Sequence, residues 1–146
     1  MAVRVKLRVR SRASDKAVET AALVNSGFET LKPQLLLPVK MAEELGLWPD
    51  LSKKSHVKEY VTAGGTIKNY VIPDSIEVSI VLNDERSSEA SSDAVISPIE
   101  DEILIGDKLA GRLGIQVFDF GEGVWKLNTD SPNEHHKSSY DEGYFI

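Results

Sequence analysis

The sequence predicts an all-β domain carrying one or two short helices, and three observations predict it. Val3, Val5, Leu7 and Val9 alternate strictly with Arg4, Lys6, Arg8 and Arg10, the period of two that a strand with one buried face imposes. Gly64-Gly65 stands between β-prone runs at residues 57–61 and 67–72, as in a tight hairpin whose turn needs positive φ. Short apolar runs at 94–96 and 103–105 have the composition of buried strands.

The elements follow in order. Residues 11–16 supply turn formers, and 17–24, rich in Ala, Val and Leu, pair back on the first strand. A short helix is expected over 39–45, with Pro38 at its start and Gly46 as a left-handed stop. The hairpin strands at 57–61 and 67–72 come next, then a separate strand through Ile76, Val78, Ile80 and Leu82. Residues 83–93 are Ser- and acid-rich, with Ala90 their only apolar side chain, and are expected to be an exposed loop. Asp107 is placed to cap a second short helix running to Arg112, with Gly114 as its stop. Residues 115–120 and 124–127, joined by Gly121-Glu122-Gly123, form a last hairpin. Beyond residue 128 the chain is polar and aperiodic, so the expected division is one domain over residues 1–128 and a disordered tail over 129–146, with Tyr140, Tyr144, Phe145 and Ile146 free to dock.

With 146 residues, one core is expected without covalent staples. The absence of cysteine excludes disulfides, Cys-ligated zinc, iron–sulfur clusters and a thiol nucleophile. Seventeen basic residues against 23 acidic ones leave a net charge of −6, which argues against nucleic acid or an anionic membrane as partner. No apolar run has the length of a membrane span, and the basic N-terminal stretch lacks a signal peptide's apolar core. A soluble, cytoplasmic domain is expected. The basic row of the first strand is read as a solvated sheet face rather than a patch for an acidic partner. His135-His136 is not read as a metal site, because adjacent residues do not share a face; no metal and no cofactor are expected.

One internal echo stands out. Lys40-Met41-Ala42-Glu43-Glu44-Leu45-Gly46-Leu47 and Lys108-Leu109-Ala110-Gly111-Arg112-Leu113-Gly114-Ile115 share the pattern K-x-A-x-x-L-G-L/I. Helix caps obey common physics and look alike; the alternative is two halves related by a pseudo-twofold, and periodicity leaves both open.

Other residues bear on that choice. Leu23-Val24-Asn25-Ser26-Gly27-Phe28 reads as a strand running into a tight loop. With Ile103-Leu104-Ile105-Gly106, the Gly64-Gly65 hairpin and both L-G-L/I elements, in this order and over residues 3–127, it resembles the retropepsin-like aspartic proteases. The resemblance implies a retropepsin-like acid-protease barrel with a flap hairpin, assembled as a C2 homodimer. Where the family pattern has apolar-apolar-Asp-Ser/Thr-Gly, this sequence carries Asn25 in place of the aspartate. The family's chemistry needs two carboxylates, one per subunit, sharing a proton, so that one activates water while the other polarises the scissile carbonyl. An amide supplies neither role. Asn is nearly isosteric with Asp, so fold, dimer and peptide groove are expected to survive.

By matching position, Ser26 would be the hydroxyl that braces the two catalytic loops across the dimer axis, and Gly27 the point of close substrate approach. Ala63, Gly64 and Gly65 would be the flap tip that closes over bound peptide. The ordinary readings are a turn former for Ser26 and a plain hairpin for Gly64-Gly65. No second D-S/T-G motif occurs in the chain, so the resemblance implies completion of the site by a second copy. It also implies an interface element near residues 124–127, with Trp125 either partly buried there or in the core. The leading expectation is an aspartic endopeptidase inactivated by Asn25, acting on peptide or unfolded protein. The alternatives are a non-catalytic peptide-binding or dimerisation module on the same fold, and an unrelated β-barrel binding a partner through its basic face.

Overall fold

The computed structural model describes residues 2–25 and 27–139. Strand β1 (Arg4–Ser11) pairs antiparallel with β2 (Ala17–Val24), and its alternation holds: Val3, Val5, Leu7 and Val9 are fully buried. Strand β3 (Gln34–Pro38) leads directly into helix α1 (Val39–Glu44). Strands β4 (His56–Thr62) and β5 (Gly65–Leu82) form the expected hairpin, closed by the Thr62–Gly65 pair. Then come β6 (Glu85–Arg86), β7 (Ala90–Ser97), β8 (Leu104–Ile105) and helix α2 (Asp107–Leu113). Strands β9 (Ile115–Asp119), β10 (Val124–Leu127) and β11 (His136–Lys137) make a separate small sheet in the order β11-β10-β9.

The large sheet runs β1-β2-β8-β3-β7-β5, and β5 returns to pair with β1, closing a six-strand barrel. Closure leaves the six ring strands without a free end to the sheet, while β4 and β6 hang outside the ring on β5. The barrel interior is filled by alternate residues of these strands, among them Leu35 and Leu37 of β3, Ile72, Ile76 and Val78 of β5, and Ile96 of β7. The opposite faces of the same strands contribute Leu36, Val71 and Val95 to a smaller outer cluster. Among the described residues no helix is long and apolar enough to cross a membrane.

Several expectations require correction. Strand β3 was not expected; its five residues are all buried, so it shows no alternation to detect. The two strands expected at 67–72 and 76–82 are one continuous strand, bent where its register with β7 shifts between Ile72 and Ile76. The bend is held by Asp93, whose carboxylate accepts from Asp74 N (2.9 Å) and from Gln34 Nε2 (3.2 Å). The loop expected over 83–93 is shorter: Asn83 and Asp84, both at positive φ, turn β5 into β6, and β7 starts at Ala90 with Ser92 and Asp93 buried. Asp107 is the first residue of α2 rather than its cap; Gly106 holds the cap position.

The expected tail is ordered in its first part. Strand β11 pairs with β10, Arg4 N donates to Ser138 Oγ (2.8 Å), and Ser139 N donates to Arg4 O (2.8 Å). Tyr140, Tyr144, Phe145 and Ile146 lie outside the described residues. Trp125 is 2% exposed and belongs to the core, and β10 is paired on both edges, so it offers no free edge as an interface element.

The echo between the two helices does extend to a pseudo-twofold. Both helices end at a glycine in the left-handed region, Gly46 at φ 74° and Gly114 at φ 76°. Strand β2 pairs in parallel with β8, which leads into α2, and β7 pairs in parallel with β3, which leads into α1. Each half thus inserts its helix-bound strand beside the other half's strand. The two inserted strands meet antiparallel, with Leu36 opposite Leu104 on the symmetry axis.

Candidate functional site

The crossed pairing defines two equivalent positions. Ile105, two residues before α2, pairs with Val24, and Leu37, two residues before α1, pairs with Ile96. The residues that follow, Asn25 and Ser97, are therefore pseudo-equivalents, each at the point where a central strand leaves the barrel. Their local turns match. Asn25 Oδ1 accepts from Gly27 N (3.0 Å), and Ser97 Oγ accepts from Ile99 N (3.4 Å) and Glu100 N (3.2 Å). Short polar side chains at such turns replace the missing ladder partners of the backbone. The Asn25 loop is fixed further by Asn25 N to Ile105 O (3.2 Å) and Phe28 N to Asn25 O (3.0 Å).

These two loops form one side of a groove of about 240 Å³. Asn25, Gly27 and Phe28 of one loop and Ser97, Ile99 and Glu100 of the other line it, together with the paired Leu36 and Leu104 of the central strands. The facing wall comes from the β4–β5 hairpin through Tyr60, Val61, Ile67 and Asn69. The groove is apolar with a few polar atoms whose bonding capacity is unused: Tyr60 Oη and Asn69 Oδ1 are buried without a hydrogen-bond partner. Burial, and then the charge of Asp93, push the Tyr60 phenol above its usual pKa, so it keeps its proton and can donate a hydrogen bond. A donor and an acceptor set in apolar walls suit a ligand that carries both, as a peptide backbone does.

A second cavity of about 270 Å³ opens on the other side of Asn25, lined by Asp107, Ala110, Ile115, Val117 and Phe120 among others. Asp107 is occupied there: its Oδ1 accepts from Thr30 N (3.1 Å) and Lys108 N (2.8 Å).

Asn25 and Gly27 meet in the groove. Ser26 lies outside the described residues. Ala63, Gly64 and Gly65 are exposed at the hairpin tip, further along the hairpin than the residues that form the groove wall. Tyr60, Asn69 and Ser97 were not singled out in the sequence. Ser97 was the findable one, since the helix echo, extended back through each inserted strand, points to it.

Among the described residues, Asp130, Glu134 and His136 bring possible metal-ligand atoms within 4.8 Å of one another. His136 Nε2 and Asp130 Oδ2 are already joined at 2.8 Å, and His135 points elsewhere, against the Phe118 ring. Compared with known proteins, the chain matches no protein family and no curated sequence.

Proposed function

We propose that this chain is a retropepsin-like aspartic-protease domain that binds extended peptide in the groove at Asn25 and, with an amide in place of the catalytic carboxylate, holds it uncut. One observation carries the reading: the crossed parallel pairings put Asn25 at the exit of a central strand, facing a hairpin wall, across a groove with unpartnered polar atoms. In the active form of this chemistry a water sits between two carboxylates too close to ionise together. The ionised one takes the water's proton, and the protonated one donates to the carbonyl oxygen. Asn25 positions water but has no basic oxygen, so attack stops there.

Because the pseudo-equivalent loop carries Ser97 and the Asn25-Ser26-Gly27 motif occurs once per chain, a second copy completes the site, its axis passing between the two Asn25 side chains. The contact falls to the edge strand β9 and the Asn25-side cavity, where Val117 and Phe120 present apolar surface. The same reading takes the cytoplasm as the compartment, where a fold without disulfides is at no disadvantage.

Asn25→Asp tests the proposal. The variant should cleave members of a diverse peptide library with a bell-shaped profile on the acidic side, because the singly ionised pair is the working species. The unaltered chain should bind the same peptides and leave them intact, with intact mass checked against deamidation at Asn25. A folded, dimeric Asn25→Asp protein that cuts nothing between acid and neutral pH overturns the enzyme reading; peptide binding retained in that case assigns a binding module.

A further inference from the structure

The basic face of β1 is not uniform. Arg4 pairs with Glu102 (2.6 Å), Lys6 with Glu19 (3.8 Å) and Arg12 with Glu77 (3.4 Å). At its centre the balance fails. Arg8 and Arg10 share one carboxylate, Glu89, at 3.9 and 3.0 Å, with Asp15 on the far edge of Arg10 (3.0 Å). Arg86 lines the same place, makes no ion pair within 4 Å among the described residues, and lends its charge at longer range to the same Glu89 carboxylate. Three guanidinium groups therefore surround a basin of about 660 Å³ on a chain whose net charge is −6.

A second observation points the same way. Ser79 lies on β5 between Val78 and Ile80, both in the core, so its side chain leaves the opposite face, in register with Arg8. It lines the basin, is 1% exposed, and its Oγ has no hydrogen-bond partner. A buried hydroxyl without a partner is unfavourable unless something supplies one. The rim above it is fixed: Ser87 N donates to Ile80 O (2.9 Å) and Ile80 N donates to Ser87 Oγ (2.9 Å).

We propose that this basin, walled by Arg8, Arg10 and Arg86 over the Ser79 hydroxyl, binds a phosphate monoester. Glu89 already fills the place of one carboxylate, clasped by Arg10 through two bonds of 3.0 Å. The remaining donors, Arg86, the outer nitrogens of Arg8 and the Ser79 hydroxyl, suit a dianion with three terminal oxygens better than a second carboxylate. The volume exceeds that of a phosphate group and leaves room for the organic part of an ester. The basin shares no lining residue with the groove at Asn25, so it stands whether or not that groove binds peptide.

The test is calorimetric and NMR titration of the full chain with inorganic phosphate and with ribose 5-phosphate, at constant ionic strength against chloride. Saturable binding of either probe, with shifts at the Ser79 and Arg86 amides, is expected; tighter binding of the sugar phosphate identifies an ester, and equal binding identifies free phosphate. Arg86→Gln should weaken binding about tenfold or more with the melting midpoint unchanged. Glu89→Gln, which removes the competing carboxylate, should tighten it several-fold, a direction that a merely structural role would not give. Chloride reproducing the shifts, or Arg86→Gln binding like the unaltered chain, overturns the proposal. So does binding of a phosphopeptide or a glutamate-rich peptide when both small probes fail.

Discussion

Gly106 shows how little tolerance the centre of the fold has. A Cβ built there would meet Gln34 O at 3.1 Å and the Phe28 ring at 3.3 Å. Neither can retreat easily, because Gln34 O accepts from Gly106 N and Phe28 O accepts from Asp107 N. Gly106→Ala should therefore destabilise by about 1–3 kcal/mol, the usual cost of overpacking a tight site, read as a lower denaturation midpoint at constant slope. A second residue-scale outcome concerns pH. Burial raises the pKa of the Asp130 carboxyl, but the Leu127 N–H and the His136 ring outweigh it, and the net shift is downward. A carboxyl held lower in the folded state adds stability above its unfolded pKa of about 3.9, and loses it as pH falls toward and through the folded value. Melting midpoints measured from pH 6 down to pH 2 should fall more steeply in the unaltered chain than in Asp130→Asn. At this scale the sequence was legible where a residue's role is local. The left-handed stops at Gly46 and Gly114 needed only their neighbours to be recognised. Tyr60, Asn69 and Ser97 acquire their meaning from partners brought together by the barrel, and nothing beside them in the chain marks them.

The β4–β5 hairpin is the element on which the groove depends. Its tip at residues 63–66 is exposed and carries no large side chain, while its base is tied into the sheet through Tyr70 and Val71. Amide exchange should accordingly be fast at 63–66 and slow at 69–72, and a bound peptide should slow the tip selectively. Equal protection with and without peptide would argue against a closing flap. Strand β1 was read correctly because its alternation reports a half-buried sheet, and the β1–β2 and β9–β10 hairpins followed from ordinary turn chemistry. Strand β3 escaped because burial on both faces erases alternation, leaving Leu35-Leu36-Leu37 to read as a mere apolar run. Strand β7 escaped in part for the opposite reason: Ser91, Ser92 and Asp93 look like loop, yet Asp93 is inside because Gln34 Nε2 and the Asp74 N–H hydrogen-bond to it there. The expected break between residues 72 and 76 is a bend, and the chain passes through it without leaving the sheet.

For the molecule as a whole, the proposed dimer makes a specific demand on β9. Phe118 and Phe120 are exposed at its end, and Phe120 borders the cavity beside Asn25. Replacing both with Glu should give a monomer by sedimentation and abolish peptide binding, while the stability of the subunit stays within about 0.5 kcal/mol, as surface changes usually do. A dimer that survives the double substitution places the axis elsewhere. Strand β8 carries a further consequence, one of timing. Strands β2 and β3 do not touch along the ladder; Leu104 and Ile105 lie between them. On a ribosome, both emerge long before the two residues that must separate them, and until then each offers an open flank to the other or to a neighbouring nascent chain. Contacts of such long sequence separation slow folding. The barrel is thus a structure that cannot be finished in the order it is made, and the interval before Ile105 appears is when this chain most needs shielding from its neighbours.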